Sequence, residues 1–178
     1  MNTTDSLALE ILDQFVSARV LDAYVEGEGR LRATLLGAIP VASAGPDRQM
    51  NEAELQRYLS ETPWFPTALL PAAGVSWEGI DDRTARATIA DGDVTATGVF
   101  HFDGARYLRR LTADRYRQDT DTVAPWVGRY LTYETRDGMA IPIEAEVGWE
   151  TADDTVPYWR GEIPEIEYVR SRSVGRNS

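Results

Sequence analysis

Residues 75–116 read VSWEGIDDRTARATIADGDVTATGVFHFDGARYLRRLTADRY. Apolar side chains alternate with polar ones through most of this stretch, and Asp91-Gly92 and Asp103-Gly104 separate its alternating runs. Alternation with a period of two is typical of a strand with one buried face, and an Asp-Gly pair between two such strands indicates a tight hairpin. The stretch therefore predicts consecutive antiparallel strands joined by type I′ turns, which need positive φ at both central residues.

The same pattern continues toward the C-terminus. Asp137-Gly138 joins an alternating run over residues 126–135 to another over 141–149. In the second run one face carries Ile141, Ile143, Ala145, Val147 and Trp149. A last strand is predicted to begin at Pro157 and to extend to Tyr168.

The N-terminal third predicts two strands and two helices. The strands cover residues 20–25 and 30–35, with a bend at Gly27-Glu28-Gly29 between them, and residues 43–49 form a loop. The first helix, Leu7–Val16, has an apolar stripe that is formed by Leu7, Ile11 and Phe15.

The second predicted helix begins at Asn51, which with Glu54 has the spacing of a capping box. Leu55, Tyr58 and Leu59 share one of its faces, and Pro63 ends it. The apolar segment that follows, Trp64–Pro71, contains further prolines and is predicted to be a semi-rigid connector rather than a strand or a long helix.

Consecutive antiparallel strands with short connections form a meander. The predicted fold is mainly β (α+β): a curved antiparallel meander sheet, or half-barrel, of about nine strands with two helices packed on its concave face. Residues 1–169 are predicted to form one domain, and residues 170–178 a disordered tail.

Composition excludes several classes of function. The chain has 178 residues, no cysteine, one histidine and a formal net charge of −11. A Cys-based or two-His metal site cannot form from this composition, so no metal is expected. The net charge repels nucleic acid and anionic headgroups. No membrane-spanning run is present, and the N-terminal stretch lacks the basic region and long apolar core of a signal peptide, which predicts a cytoplasmic location.

No catalytic motif is recognisable, and neither a catalytic residue nor a cofactor is expected. His101 lies between two phenylalanines and points to the opposite face, where it is interpreted as a sheet-surface histidine rather than a general base. Glu144 and Glu146 project from one strand face and could hold a water or a cation. The favoured interpretation is that they are solvated or paired with Arg109 or Arg129.

Aromatic side chains on the predicted strands and the connector are the candidate ligand-binding residues. Such side chains fill a core, or they line an apolar cavity between sheet and helices, and periodicity does not separate the two. The candidates are Trp64, Phe65, Trp77, Phe100, Phe102, Trp126, Trp149 and Trp159.

The stretch Glu54–Pro71 reads ELQRYLSETPWFPTALLP. This stretch is the most specific of a set of motifs that resemble one family. The other motifs of the set are Gly27–Val41, Trp77–Asp82, Pro125-Trp126, Met139–Pro142 and Pro157–Gly161. Together they resemble an uncharacterised prokaryotic family, known only as a domain of unknown function, over residues 20–169. Its architecture is similar to that of the LolA/LolB-type periplasmic lipoprotein carriers. The resemblance implies a curved half-barrel whose concave face, closed by helices, holds acyl chains, and it carries over no catalytic residues.

Three hypotheses follow. The first is a non-enzymatic binding protein for an apolar or amphipathic small molecule, such as a lipid. The alternative is a structural or protein-interaction module that oligomerises, for example as a homodimer, through its N-terminal helix or a sheet edge. The third is an enzyme that uses Glu144 and Glu146, or His101, on the concave face.

Overall fold

The structure is a computed structural model. It describes the backbone of residues 18–25, 28–35, 39–44, 47–152 and 154–168, and side chains from residue 47 onward. The described chain is mainly β, with most strands in one antiparallel sheet and a single α-helix. The predicted first helix, Leu7–Val16, and the predicted tail, residues 170–178, lie outside the described residues and stay predictions.

The described residues contain twelve strands. The three that precede the helix are β1 (Ala18–Val25), β2 (Glu28–Leu35) and β3 (Ile39–Ala44). The helix, α1, spans Arg48–Glu61 and is followed by short 3-10 turns at Thr62–Trp64, Pro66–Leu69 and Pro71–Ala73. The remaining strands are β4 (Val75–Asp81), β5 (Thr84–Asp91), β6 (Val94–Phe102), β7 (Leu108–Arg117), β8 (Thr122–Tyr130), β9 (Tyr133–Arg136), β10 (Met139–Pro142), β11 (Glu144–Glu150) and β12 (Thr155–Glu162).

The strands after α1 form a seven-stranded antiparallel sheet and a two-stranded ribbon. The order in the large sheet is β12-β11-β8-β7-β6-β5-β4, so β4 and β12 are its edges. Its neighbouring strands are consecutive in the chain except β8 and β11, between which the β9–β10 ribbon is inserted. Strands β1, β2 and β3 form a separate three-stranded antiparallel sheet.

The described residues contain twelve strands, whereas about nine were predicted. The difference arises because one strand was not predicted and two predicted strands are each divided into two. The missed strand is β3, whose short sequence IPVASA carries a proline and little polar alternation. The predicted strands 126–135 and 141–149 break at Leu131-Thr132 and at Ile143. The segments on either side of Asp137-Gly138 pair with each other as the β9–β10 ribbon. Ile143 lies between β10 and β11 and does not join the core cluster that contains Ala145, with which it was predicted to share a face. The last strand ends at Glu162, not at Tyr168.

The three predicted hairpins are present, but only Asp137-Gly138 forms a type I′ turn, with φ of 51° and 79° at its two residues. At Asp91-Gly92 the only positive φ is the 59° of Gly92. Because Asp91 pairs with Val94 as the last residue of β5, the central positions shift by one residue, and the pattern is that of a type II′ turn.

The hairpin at Asp103 closes through a longer loop than predicted. Its positive φ, 68°, falls on Arg106 rather than on the Asp-Gly pair. The Asp103 carboxylate accepts hydrogen bonds from the backbone N–H groups of Ala105 and Tyr107, both 2.9 Å long. The aspartate therefore stabilises the loop by local hydrogen bonding and not by adopting a left-handed conformation.

Helix α1 begins one turn earlier than predicted. The N-cap is Asp47, whose Oδ1 accepts a 2.7 Å hydrogen bond from the N–H of Met50. Asn51 therefore lies inside the first turn, and residues 48 and 49 belong to the helix rather than to the predicted loop. An aspartate at this position also stabilises the helix because its negative charge is attracted by the positive end of the helix dipole. The predicted end before Pro63 is confirmed.

Contacts on two sides explain the burial of α1. It lies against β6 and β7 of the large sheet and also against β1 and β2. Its buried residues therefore include Glu54, Gln56 and Ser60 as well as the predicted Leu55 and Leu59. We refer to the face of the large sheet that packs on α1 as the helix face and to the other as the outer face.

The main core lies between α1 and the half of the helix face formed by β4 to β7. Phe100 and Leu111 are completely buried there, next to Leu55 and Leu59 of the helix. None of the helices in the described part of the chain has the length and hydropathy needed to cross a lipid bilayer.

Candidate functional site

A cavity of about 640 Å³ lies between α1 and the other half of the helix face, formed by β7, β8, β11 and β12. Small-molecule sites commonly have volumes of about 300–1,000 Å³. The helix wall is formed by Met50, Ala53, Glu54, Arg57, Ser60 and Glu61. Core and cavity therefore share one sheet face and meet at Trp126, Tyr130 and Ala145, which belong to the core and also border the cavity.

The sheet wall of the cavity is aromatic. Trp126 on β8 and Trp149 on β11 are directly opposite each other in the strand register. Tyr158 on β12 stacks on Trp149 with a distance of 5.9 Å between ring centroids. The Tyr158 hydroxyl accepts a 2.8 Å hydrogen bond from Nε1 of the buried Trp126. This bond satisfies the indole N–H and fixes the three rings relative to one another.

A β-bulge brings two consecutive residues of β12 to the cavity. Val147 pairs with Trp159 and Gly148 with Pro157, so Tyr158 is the extra residue. A bulge interrupts the alternation of side chains between the two faces. Tyr158 and Trp159 consequently both border the cavity, although neighbouring residues of a regular strand point to opposite faces.

Two glycines make room for this arrangement. A Cβ atom on Gly148 would lie 2.5 Å from the carbonyl oxygen of Val156, so any larger residue would push β12 away at the bulge. A Cβ atom on Gly161 would lie 2.3 Å from the ring of Trp159, which shows that this indole lies across Gly161. The close approach of β12 to β11 therefore depends on Gly148.

Arg115 connects the sheet wall to the helix wall. Its Nη2 donates a 3.0 Å hydrogen bond to Glu54 Oε1, and its Nε donates one of 3.0 Å to the carbonyl oxygen of Ala53. The guanidinium lies over the ring of Trp126, 5.4 Å from the centroid. An arginine in such a position combines an ion pair with a cation–π contact.

The same glutamate also binds a second arginine. Arg57 Nε lies 2.7 Å from Glu54 Oε2, and Arg57 Nη1 lies 2.5 Å from Glu61 Oε1. Tyr130, at the opposite wall, donates a 2.7 Å hydrogen bond to the carbonyl oxygen of Ser60. Burial raises the pKa of the Tyr130 hydroxyl well above its usual range, which keeps the group a neutral donor.

A third arginine, Arg117, lies at the end of β7. Its guanidinium is 5.2 Å from the ring centroid of Trp149. Both oxygens of Asp119 accept hydrogen bonds from it, 2.7 Å from Nε and 2.8 Å from Nη2. These bonds hold the pKa of the Asp119 carboxyl below its usual value. The Asp119 side chain is 62 % exposed, so this ion pair is formed at the solvent boundary of the cavity.

Half of the predicted ligand-binding aromatics border the cavity. These are Trp64, Trp126, Trp149 and Trp159. Trp64 is oriented by a 2.7 Å hydrogen bond from its Nε1 to the carbonyl oxygen of Pro142. The structure thus brings together four tryptophans from the connector and three different strands.

The other four predicted residues do not border the cavity and are left out of the site. Phe100 is in the core, and Trp77 packs on it edge-on with 5.0 Å between centroids. Phe102 packs against the same core, and Phe65 contacts Tyr58 with 6.1 Å between centroids. The sequence pattern placed these rings on buried positions but could not show which half of the sheet carries a cavity.

Most residues that border the cavity were not among the eight candidates, and three of these, Arg115, Arg117 and Tyr158, bear on its chemistry. Arg115 and Arg117 follow Leu111 and Ala113 at intervals of two, so alternation alone assigns them to the helix face. A charged residue at an inward position was the signal that could have identified them. Tyr158 was not assigned because a bulge cannot be read from alternation.

His101 lies away from the cavity. Its ring Nε2 is 3.2 Å from the Thr112 hydroxyl oxygen. Burial lowers the pKa of the imidazole, and the charge of Arg110 lowers it further. The interpretation as a sheet residue on the face opposite to Phe100 agrees with this environment.

Glu146, which is also among the residues that border the cavity, is held by two arginines. Arg129 Nη1 lies 3.2 Å from its Oε1, and Arg160 Nε lies 3.1 Å from its Oε2. The bond from Arg160 and then that from Arg129 hold the pKa of this carboxyl below its usual value. The predicted pairing with Arg129 is confirmed for Glu146, while Glu144 instead accepts a hydrogen bond from the Thr132 hydroxyl.

Arg109, the other predicted partner of these glutamates, pairs with Asp103 instead, at a distance of 2.8 Å. The hairpin that contains Asp103 brings this carboxylate close to β7. Among the described residues, no group of three or more histidine, aspartate and glutamate side chains could hold a metal ion.

A family model described as "Family of unknown function (DUF6920)" matches residues 8–168. The chain belongs to this family. The matched range includes α1 and every strand of the large sheet, so the elements that surround the cavity are part of the family's domain. No curated protein and no solved structure matches the chain.

Proposed function

We propose that the protein is a non-enzymatic binding protein for an amphipathic small molecule, such as a lipid, and that the ligand occupies the cavity between α1 and β7, β8, β11 and β12. One observation carries this proposal. A cavity of about 640 Å³ lies between α1 and β7, β8, β11 and β12, and four tryptophans border it.

The composition of the walls supports an amphipathic ligand. Indole and phenol rings from β8, β11 and β12 provide a large apolar surface with polar edges. The charged groups of the cavity, in contrast, are concentrated on α1 and at the end of β7, where Arg57, Arg115 and Arg117 lie. A ligand with an apolar body and a polar end matches this division.

Paired charges favour binding over catalysis. Each of the three arginines is engaged with at least one carboxylate of the same cavity, and Tyr130 is kept neutral by burial. The predicted acid–base candidates are also engaged elsewhere, Glu146 with two arginines and His101 with Thr112. A general base needs a free, suitably positioned lone pair, so these contacts support a binding role.

We also propose that the architecture is a half-barrel similar to that of the LolA/LolB-type carriers. The support is topological. The large sheet is a meander of antiparallel strands, a helix packs on one of its faces, and the cavity lies between the two. Such an arrangement encloses an apolar ligand without requiring a closed barrel.

The direct test is native mass spectrometry of the purified protein, followed by solvent extraction and analysis of small molecules. In parallel, the protein is titrated with the neutral fluorescent probe N-phenyl-1-naphthylamine. We expect either a co-purified amphiphile or saturable probe binding at one site. Absence of both a co-purified molecule and saturable binding would contradict the proposal.

The alternative, an oligomerising interaction module, is favoured by one separate observation. The edge strand β12 exposes Val156, Tyr158 and Trp159 by 56 %, 52 % and 45 %. An edge strand with exposed apolar side chains is a template for pairing with another chain. If this alternative holds, sedimentation velocity should detect a dimer that Val156→Glu weakens, whereas a monomer at all concentrations would argue against it.

A further inference from the structure

The three arginines of the cavity differ in how easily their counter-ions can be exchanged. Arg115 is almost completely buried, and its partners are Glu54 and the backbone of Ala53. Arg57 lies between two glutamates of its own helix. If an anionic ligand replaced these glutamates, either α1 would have to move or the ligand's negative charge would lie beside the buried carboxylate of Glu54, which is unfavourable.

Arg117 has a different environment. Its carboxylate partner belongs to Asp119 in the exposed connection between β7 and β8. An ion pair at the solvent boundary contributes little to stability, so a ligand can replace the aspartate at small cost. The Trp149 ring, 5.2 Å from the guanidinium, keeps Arg117 beside the aromatic wall when Asp119 leaves.

The geometry of the existing pair shows which ligand group fits. Asp119 presents two oxygens to Nε and Nη2 at 2.7 Å and 2.8 Å. This is the bidentate arrangement in which a guanidinium binds a carboxylate or a phosphate. Resting on the function proposed above, we infer that the ligand is an anionic amphiphile whose carboxylate or phosphate replaces Asp119 on Arg117 while its apolar chain lies along Trp149 and Tyr158.

The overall charge of −11 opposes this ligand only weakly. At physiological ionic strength, charges farther apart than about 8 Å are largely screened from each other. The two direct hydrogen bonds to Arg117 act within that distance. The carboxylate of Asp119 thus serves as an internal substitute for the ligand and keeps Arg117 compensated when the cavity is empty.

The test compares three amphiphiles with the same chain length. Decanoate, decyl phosphate and decanol are titrated at pH 8 against the bound fluorescent probe, with wild type, Arg117→Gln, Asp119→Asn and Arg86→Gln. Arg86 is the matched control because it forms a 2.7 Å pair with Glu78 and does not border the cavity.

We expect wild type to bind at least one of the two anions about tenfold more tightly than decanol. Arg117→Gln should remove this preference and leave decanol binding unchanged, while Asp119→Asn should increase the preference because the internal competitor is gone. Arg86→Gln should behave as wild type. The preferred anion then identifies the head group as a carboxylate or a phosphate.

Two results would overturn the inference, and they differ in what they say about the binding function. If decanol binds as tightly as both anions, or if Arg117→Gln keeps the preference, the head-group assignment is wrong while the binding function stands. The same holds if none of the three molecules displaces the bound probe. If the probe itself shows no saturable binding and no amphiphile co-purifies, both are wrong.

Discussion

The carboxylate of Glu54 and the guanidinium of Arg115 form a 3.0 Å ion pair in which the side chains are only 2 % and 11 % exposed. The pair joins the middle of α1 to β7 at the boundary between core and cavity. Removal of two charges from water is unfavourable, so the pair is stable only because Arg57 and the carbonyl oxygen of Ala53 complete its hydrogen bonds. Loss of one partner leaves a buried charge without compensation.

We therefore expect Glu54→Gln to lower the free energy of unfolding by about 3 kcal/mol, because it leaves Arg115 charged and buried. Urea denaturation followed by tryptophan fluorescence measures the change. Glu78→Gln is the control, since Glu78 pairs with Arg86 in an exposed position and should change the value by less than about 1 kcal/mol. Equal effects of the two substitutions would show that the buried pair has no special role.

Gly128 offers a way to fill the cavity without disturbing the sheet. It borders the cavity, and the nearest atom to a Cβ placed there is the Tyr130 hydroxyl oxygen, at 3.6 Å. We expect Gly128→Leu to prevent probe binding while the free energy of unfolding changes by less than about 1 kcal/mol. The matched control is Gly79→Leu on the edge strand β4, where no atom lies within 4 Å of the added Cβ. Unchanged probe affinity in Gly128→Leu would place the ligand elsewhere.

Gly148, at the bulge of β12, is expected to differ from Gly128, because a side chain at position 148 would clash with the backbone of β12. Gly148→Ala introduces a methyl group 2.5 Å from the Val156 carbonyl oxygen and 2.8 Å from Pro157 Cα. We expect a loss of stability of about 1–3 kcal/mol, typical of overpacking, with loss of hydrogen-exchange protection concentrated in β12. Gly79→Ala is the control. Retained protection in β12 would mean that the strand accommodates the methyl group without separating from β11.

His101 provides a test by pH. Its pKa is lowered in the folded protein by burial and by Arg110, so the unfolded chain binds more protons near pH 6. Its contribution to stability is therefore complete above the ordinary histidine pKa of about 6.5 and is lost as pH falls through the folded-state pKa. We expect stability to decrease from pH 7 to pH 5 and His101→Gln to reduce that decrease.

Because the chain contains one histidine, a single imidazole signal in an NMR titration reports the folded-state pKa directly. A value at or above 6.5 would contradict the assigned environment. The carboxyls with lowered pKa, such as Glu146 and Asp119, lose their contributions at lower pH, which separates them from the histidine.

Period-two alternation predicted the β class and the order of hairpins because one face of the central strands, most clearly β6, is buried against α1 or the core. The predicted chain of hairpins from β4 to β8 is present in the large sheet. Local pattern could not predict the breaks at Leu131 and Ile143, since the hydrogen bonds from Leu131 N to Glu144 O and from Ile143 N to Thr132 O continue across them. The backbone N–H and C=O groups at the breaks therefore remain hydrogen-bonded, although the β9–β10 ribbon is separate from the large sheet.

The site was predictable only in part, for a related reason. The tryptophans at 64, 126, 149 and 159 were predicted as candidates because they lie on the apolar connector or on predicted strands, and they border the cavity. Phe100 lies in the core beside Leu55 and Leu59, and Trp77 packs edge-on against its ring from the edge strand β4, where it is 37 % exposed. Whether a face is filled or hollow depends on the side chains that another element places there, and no strand pattern contains that information.

The separation of core and cavity along the sheet has a consequence for sequence divergence. Strands β4 to β7 carry most of the close packing with α1, whereas β8, β11 and β12 surround the hollow half. The cavity residues at the solvent boundary, Arg117, Asp119, Tyr158 and Trp159, belong neither to the buried core nor to the Glu54–Arg115 pair. Substitutions at these positions change the rim of the cavity at small cost to the folded state, so the domain can acquire new ligand preferences while α1 and the core strands preserve the scaffold.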